Sequence, residues 1–493
     1  MPSGQHKRRR FTILGEHPVS EFGKLELKDR FDLMVIGGGS AGFAAAIRGA
    51  EFGFSVALVE ADTIGGTCVN IGCIPSKALI RAVEAHHQAG GKRFRGIETL
   101  GGRIEWPQVI AHKDELVLEL RQTKYTDVLT AYPGITYIRG RARLTEKKRV
   151  DIDGRGYTAN KIIIATGAKP WAPPISGLFE VPYLDSTSAL DLKPLPSSMI
   201  VLGANAVGLE LAQLYARTGT EVTLVEVLPR IAPFEDPAVS AALTGYLEEE
   251  GLHIVTRFDT REVAKRNGQC LVTGSQDGSE RSFEAEQLLV ATGRRANTAG
   301  MGLEEAGVRL GERGEILVDD RLQTHNPFVY AAGDVIGKDM FVYVAAYGGM
   351  LAAENALTGA GRTYDASYIP RLTFTDPQIA SAGLTEDQAR QQGFDVKVST
   401  LPMGQVPHAQ AARDRRGLVK LVADAATDRL LGAHILASNS GEMIQIAVLA
   451  IRFGITVGEL RDTMFPYLTS SEGLKLAAIA FEKDLAMLSC CAG

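Results

Sequence analysis

The chain has 493 residues, enough for about three domains at roughly 150 residues each. Hydrophobic residues make up 45% and charged residues 23%, the ordinary balance of a soluble globular protein. The net charge of −5 excludes a general pull toward nucleic acid or anionic membrane, and no apolar run approaches the roughly 18 residues that span a bilayer.

The chain begins with the basic run Lys7-Arg8-Arg9-Arg10. The polar stretch behind it has no apolar core of the kind a secretory signal needs, so residues 1–30 read as a flexible basic tail on a cytoplasmic protein. Phe31 to Ile36 is a short apolar strand. It runs into Gly37-Gly38-Gly39-Ser40-Ala41-Gly42, an Ala-rich helix to about Gly53, and a second strand, Ser55 to Val59, that ends at Glu60. This is a βαβ unit with G-x-G-x-x-G at its turn and an acid 18 residues past the last glycine.

The layout recurs: a strand from Met199 to Leu202, the turn Gly203-Ala204-Asn205-Ala206-Val207-Gly208, a helix to about Thr218, and a strand ending at Glu226, again 18 residues on. One such turn is a weak signal, but two with equal internal spacing predict two dinucleotide-binding domains. Lys161 to Thr166 and Gln287 to Thr292 are buried-type strands ending in Ala165-Thr166-Gly167 and Ala291-Thr292-Gly293. Val329 to Asp334 is another strand ending in an acid. From about residue 368 short strands such as Gly417 to Val422 and Leu430 to Leu436 precede two or three helices. The predicted fold class is therefore α/β, with two Rossmann-like domains and a C-terminal α+β domain. The boundaries are 31–180 plus 297–367 for the first nucleotide domain, 181–296 for the second and 368–493 for the last.

In the first turn Gly37 makes the bend, Gly39 admits a pyrophosphate and Gly42 lets helix pack on strand. The first helical residues, Ser40 and Ala41, would face the phosphate, and Glu60 would accept a ribose hydroxyl. In the second, Gly203 and Gly208 are in place but Asn205 replaces the middle glycine. Asn tolerates unusual backbone angles, so the turn survives with a looser approach to the phosphate. Glu226 suits a free ribose hydroxyl and repels a 2′-phosphate, favouring NADH, while Arg230, four residues on, is long enough to reach one.

Two thiols lie five positions apart in Gly65-Gly66-Thr67-Cys68-Val69-Asn70-Ile71-Gly72-Cys73-Ile74-Pro75-Ser76-Lys77. Five residues of regular helix rise about 7.5 Å, beyond the roughly 6.8 Å a disulfide allows between Cα atoms. The segment must be distorted, and Gly72 supplies the freedom. A helix from about Ser76 would leave Cys73 near a positive helix end that favours its thiolate. Five cysteines in this length make no secreted disulfide framework. Cys270 reads as an inert thiol in a loop, and His86 and His87 as surface residues of a helix.

The two nucleotide units, the G-G-T-C-V-N-I-G-C-I-P-S-K segment and Ala331-Ala332-Gly333-Asp334 closely resemble the pyridine nucleotide–disulfide oxidoreductases, over about residues 31 to 493. That resemblance implies an FAD-dependent enzyme in which electrons pass from NADH or NADPH to flavin to the Cys68/Cys73 pair. It implies Cys73 as the flavin-proximal thiolate, Cys68 as the exchanging sulfur, and Lys77 beside the flavin paired with Glu210. Asp334 would hold the ribityl chain, and Gly66, Thr67, Ala142, Thr166, Gly167 and Val342 would line the FAD site. Gly293 would serve the nicotinamide nucleotide. A C-terminal dimerisation domain would make a homodimer.

Disulfide reductases of this family, such as dihydrolipoamide dehydrogenase, carry His-Pro-Thr-x-x-Glu near the C-terminus. Aligned on Glu472, the histidine position here is Tyr467, whose phenol, with an ordinary pKa near 10, is a poor proton donor to a leaving thiolate. The chain ends Leu488-Ser489-Cys490-Cys491-Ala492-Gly493. Adjacent Cα atoms are about 3.8 Å apart, too close for an unstrained disulfide, so the two thiols suit capture of a soft metal ion. This ending resembles the mercuric reductases of the family, and it implies Hg(II) as substrate, bound by Cys68, Cys73, Cys490 and Cys491 with Tyr467 lining the site. Some mercuric reductases carry an N-terminal C-x-x-C module; residues 1–30 contain no cysteine. The alternatives are a disulfide reductase and a non-enzymatic protein that sequesters Hg(II).

Overall fold

The structure is a computed structural model that describes residues 29–484 except Lys92, Glu98 and Leu100. The basic run at residues 7–10 and the Cys490-Cys491 pair lie outside the described residues.

The first unit is a seven-stranded sheet. Strand Arg30–Ile36 pairs in parallel with Val56–Glu60 on one side and Arg155–Ile164 on the other; Ile135–Arg139 extends the row. Leu33, Met34, Val35 and Ile162 to Ile164 are fully buried, as expected of parallel strands covered on both faces. Arg149–Ile152 and Ala142–Glu146 continue the sheet antiparallel. Val329–Ala331 then returns from much later in the chain and pairs in parallel with Arg155–Ile164. Helix Ser40–Glu51 lies against helix Val342–Thr358 on one face of this sheet, their backbones so near that a β-carbon on Gly349 would sit 2.0 Å from the Ala41 carbonyl oxygen.

The second unit interrupts the first. Its four parallel strands run His253–Val255, Glu221–Val225, Ser198–Leu202, Gln287–Val290 across the sheet. A separate antiparallel sheet of Phe258–Arg266, Gln269–Gln276 and Ser279–Ala285 packs beside it. Cys270 lies in the middle strand of this sheet, 3% exposed. The loop expected around it is a strand, whose Val272 alternation is diluted in sequence by Gly274 and Gln276.

The third unit is a five-stranded antiparallel sheet in the order Arg371–Thr373, Gln378–Gly383, Leu430–Ala437, Leu418–Asp424, Val396–Pro402. Helices Ser440–Phe453, Val457–Asp462 and Glu472–Ile479 pack with it. Its outward face leaves Phe453 69%, Met464 93% and Tyr467 51% exposed. A carboxylate ties this unit to the second. Asp376 meets Arg217 at 2.9 Å and Arg416 at 2.9 Å, and Arg217 also meets Glu250 at 2.6 Å. No helix among the described residues is long and apolar enough to cross a membrane.

Candidate active site

The two glycine turns are copies at atomic detail. A β-carbon on Gly42 would lie 1.7 Å from the Gly37 carbonyl oxygen, and one on Gly208 would lie 1.8 Å from that of Gly203. Glu60 accepts the Gly38 and Asp62 N–H groups at 2.6 and 2.8 Å; Glu226 accepts those of Ala204 and Leu228 at 2.7 and 2.9 Å. Each carboxylate is thus fixed by backbone while keeping lone pairs for a sugar hydroxyl.

One expectation about the second turn changes. Asn205 has φ −99° and ψ −172°, close to Gly39 at −81° and −171°. Both are ordinary extended backbone, so asparagine costs no strain, and its tolerance of unusual angles is not what keeps the turn. Arg230 donates through one guanidinium nitrogen, Nη2, to the carbonyls of Pro233 and Glu235 at 2.8 and 3.4 Å, while its Nε is buried with no hydrogen-bond partner among the described residues.

The first turn opens on a cavity of about 1330 Å³ lined by Gly37, Gly39, Glu60, Gly66, Thr67, Ala142, Thr166 and Gly167, among others. Gly66, at φ +62°, faces Gly39 so closely that a β-carbon on it would lie 2.6 Å from the Gly39 Cα. No side chain caps helix Ser40–Glu51, which leaves its first N–H groups for an anion. Bare backbone at a helix start, a fixed carboxylate and a long cavity fit the pyrophosphate and ribose of FAD. Thr166 donates to the Asn297 carbonyl at 2.7 Å and receives Asn297 Nδ2 on its own carbonyl at 2.9 Å, bracing the strand exit. Thr292 just before Gly293 donates to the Trp171 carbonyl at 2.9 Å. Asp334 opens a short turn after Gly333; burial raises its carboxyl above the usual range, opposed by Arg294, whose Nε lies 4.0 Å away. Val342 is the first residue of helix Val342–Thr358.

The thiols sit where two helices meet. Gly66–Ile71 ends at Gly72, with φ −138° and ψ −111°, and Cys73–Gly90 begins at once. A β-carbon on Gly72 would lie 2.8 Å from the Thr67 carbonyl oxygen, which is why the break falls on glycine. The second helix starts at Cys73 rather than near Ser76, so Cys73 is its first residue and feels the positive end directly. Both cysteines are free thiols, partly buried. The Cys68 thiol donates to Cys73, and with the nearby Lys77 ammonium this lowers Cys73 to about 7 against the opposing burial. The same hydrogen bond, together with burial, pushes Cys68 up. One sulfur is prepared as a thiolate and the other as its donor.

Lys77 Nζ lies 2.6 Å from Glu210 Oε2 across two units. The other Glu210 oxygen accepts the Phe374 N–H at 2.8 Å, and the Phe374 ring lies 4.7 Å from Lys77 Nζ. Phe374 had no signal in the sequence, because both its contacts, Lys77 and Glu210, lie far from it along the chain. Tyr125 was also missed. It lies in a π-helical turn, Gln122–Thr126, hydrogen-bonded to Ser40 and packed edge-on against Phe43 at 4.9 Å. Burial raises its phenol, and the charges of Cys68 and Cys73 raise it further, which places it beside the pair. A π-turn often marks a functional position but leaves no local sequence pattern.

Tyr467 is not gathered into this pocket by its own chain; it stands on the outward face of the third unit. Glu472 begins helix Glu472–Ile479, and its Oε2 is buried with no hydrogen-bond partner among the described residues. Among the described residues no group of three or more His, Cys, Asp or Glu side chains forms a metal cage.

Residues 31–354 match the family model described as pyridine nucleotide-disulphide oxidoreductase, and residues 369–478 match the dimerisation domain of that family. The mercuric reductase of Staphylococcus aureus is 46% identical over 463 residues, covering 94% of this chain and 84% of that protein. That of Streptomyces lividans is 46% identical over 475 residues, covering 95% and 100%. Among solved structures, the HOCl-induced flavoprotein disulfide reductase RclA from Escherichia coli, as its Cu(II) complex, superposes with a TM-score of 0.81 at 31% identity, covering 91% of this chain and 99% of that one. LpdA from Mycobacterium tuberculosis superposes with a TM-score of 0.82 at 28% identity, with the same coverage.

Proposed function

The chain belongs to the pyridine nucleotide–disulphide oxidoreductase family, and from that membership we propose how its residues reduce Hg(II) to Hg(0). It is an FAD-dependent NAD(P)H oxidoreductase of the mercuric reductase type. We divide it into an FAD domain at 31–180 and 297–367, an NAD(P)H domain at 181–296 and a dimerisation domain at 368–493, and place it in the cytoplasm, where nicotinamide and reduced thiols abound. The matched dimerisation domain supports a homodimer.

FAD, when bound, would supply two-electron chemistry between NAD(P)H and the thiol site. The remaining work falls to the protein. Glu60 and the first turn of helix Ser40–Glu51 hold ribose and pyrophosphate; Gly203, Gly208 and Glu226 do the same for the nicotinamide nucleotide, and the doubly anchored Glu226 favours NADH. Thr67, Ala142, Asp334 and Val342 line the flavin site. The Cys68 hydrogen bond, with Lys77 held by Glu210 beside it, favours the Cys73 thiolate.

Hg(II) arrives as a bis-thiolate complex. The Cys73 thiolate bonds to mercury as one carrier thiolate leaves. Cys68 follows, its proton departing on the second carrier thiol. When two electrons reach mercury both metal–sulfur bonds break, Hg(0) leaves, and both sulfurs remain as thiolates. The only proton a leaving thiolate takes up comes from Cys68 itself, so a tyrosine at 467 suffices where disulfide reductases need a histidine. We place Tyr467 and the Cys490-Cys491 pair of the second subunit at this site, the pair capturing Hg(II) and passing it on by thiol exchange.

The observation that carries this reading is Tyr467 at the sequence position where disulfide reductases carry their proton-donating histidine, in a chain whose Cys73 is lowered to about 7. The test compares NADPH and NADH oxidation with Hg(II) in excess thiol against lipoamide and glutathione disulfide. Faster turnover with Hg(II) is expected. Equal or faster turnover of a disulfide would make the protein a disulfide reductase, and purification without flavin absorbance would point to a sequestering protein.

A further inference from the structure

Leu468 follows Tyr467 and has φ +60°, a left-handed conformation that a bulky L side chain rarely adopts. Such strain persists only where the surroundings hold it, and it gathers at functional segments. Thr469 Oγ1 donates to the Pro466 carbonyl at 2.8 Å, a bond internal to the turn. Asn439 Nδ2 reaches Ser470 Oγ at 3.1 Å, two residues further on. The strained peptide itself is held by His408, whose Nδ1 lies 3.0 Å from the Leu468 carbonyl oxygen across a separation of 60 residues. A carbonyl only accepts, so Nδ1 carries the proton. His408 is itself fixed: it lies in helix Pro407–Ala411, flanked by the buried Val406 and Ala409, with Gln410 Nε2 tied to the Gly404 carbonyl at 2.9 Å.

We propose that His408 is a positioning residue for mercury turnover: by holding the Leu468 carbonyl it fixes the left-handed turn, and with it the direction in which Tyr467 leaves the dimerisation domain. The inference rests on the reading that Tyr467 serves the metal site. His408 touches neither substrate nor cofactor. Its effect is to keep Tyr467 pointing outward from a face on which it is half exposed, so that it reaches a site completed between subunits.

The variants separate holding from mere bulk. His408→Phe keeps a ring and loses the donor. His408→Asn keeps an amide N–H at the place of Nδ1. Leu468→Asn substitutes a residue at ease in the left-handed region, so the turn needs less holding. In the FAD-loaded dimer, His408→Phe is expected to speed amide hydrogen exchange across residues 463–471. It is also expected to lower kcat for Hg(II) about tenfold, the population shift that one strained residue commands. NADPH oxidation with ferricyanide, which bypasses Tyr467, should not change. His408→Asn should stay near wild type, and Leu468→Asn should restore most of the loss in the His408→Phe background.

Unchanged exchange in His408→Phe overturns the proposal, as does an equal fall in His408→Asn or no rescue by Leu468→Asn. Tyr467→Phe runs alongside. If exchange responds and Tyr467→Phe slows Hg(II) turnover but His408→Phe does not, the positioning role fails while the reading of Tyr467 stands. If Tyr467→Phe has no effect, that reading fails, and the positioning role fails with it.

Discussion

Replacing Lys77 by methionine removes a charge while keeping most of the side chain's volume. In the wild type three favourable influences, the Cys68 hydrogen bond first, then the Lys77 ammonium and the backbone N–H of Cys73, bring Cys73 to about 7 from an ordinary thiol value near 9, against the cost of burial. Lys77→Met removes one of these and is expected to raise Cys73 by about one pH unit, a tenfold change in its ionisation constant. The thiolate fraction at neutral pH then falls from about a half to about a tenth, so reactions that begin with the thiolate slow about fivefold. The sign for stability follows. A thiol whose folded value lies below its unfolded one stabilises the protein above the unfolded value and loses that contribution as pH falls through about 7. In the variant the loss comes at higher pH and is smaller in total. Glu210, 7% exposed, keeps the Phe374 N–H but loses its cation, which adds a separate destabilisation. The assay is iodoacetamide alkylation of the reduced protein from about pH 5 to about pH 9, with the Cys73 peptide followed by mass spectrometry. A midpoint shifted upward by about one unit supports the reasoning; coincident midpoints refute it, because Lys77 would then do nothing for Cys73.

Gly208→Ala places a β-carbon 1.8 Å from the Gly203 carbonyl oxygen, an overpacking worth about 1–3 kcal/mol locally. Flavin absorbance should survive while NADPH and NADH titrations weaken about tenfold or more. Asp376→Ala leaves Arg217, 6% exposed, with one carboxylate fewer and should lower the apparent melting temperature through a loss of about 3 kcal/mol, measurable by thermal melt with FAD bound. Cys490→Ala/Cys491→Ala should slow turnover about tenfold when Hg(II) is held by excess low-molecular-weight thiol, because a tethered thiol pair competes at high effective concentration. Full activity of that double variant would remove the terminal pair from the mechanism.

What could be read from the sequence was what repeats or what is local. The 18-residue spacing from Gly42 to Glu60 recurs from Gly208 to Glu226, and the structure gives both carboxylates the same pair of backbone donors. The break at Gly72 follows from helix rise alone, although the helix behind it starts three residues earlier than expected. What could not be read is non-local. Phe374 bridges Lys77 and Glu210 from the far end of the chain, and Tyr125 reaches the thiols through a π-turn that resembles plain helix in sequence. Leu468 carries no mark of its left-handed conformation, since leucine is what the conformation disfavours, and its hydrogen bond to His408 spans 60 residues. Arg230 fits the spacing for a phosphate ligand, but spacing cannot tell that one of its guanidinium nitrogens is held by its own loop.

The measurement that bears most directly on the whole account is mercury volatilisation, followed together with NADPH or NADH oxidation, in the wild type and in Cys68→Ser. Hg(0) is expected to be released in step with nicotinamide oxidised, and its release to be lost in the variant. Nicotinamide oxidation without mercury vapour, or vapour that persists without Cys68, would contradict it.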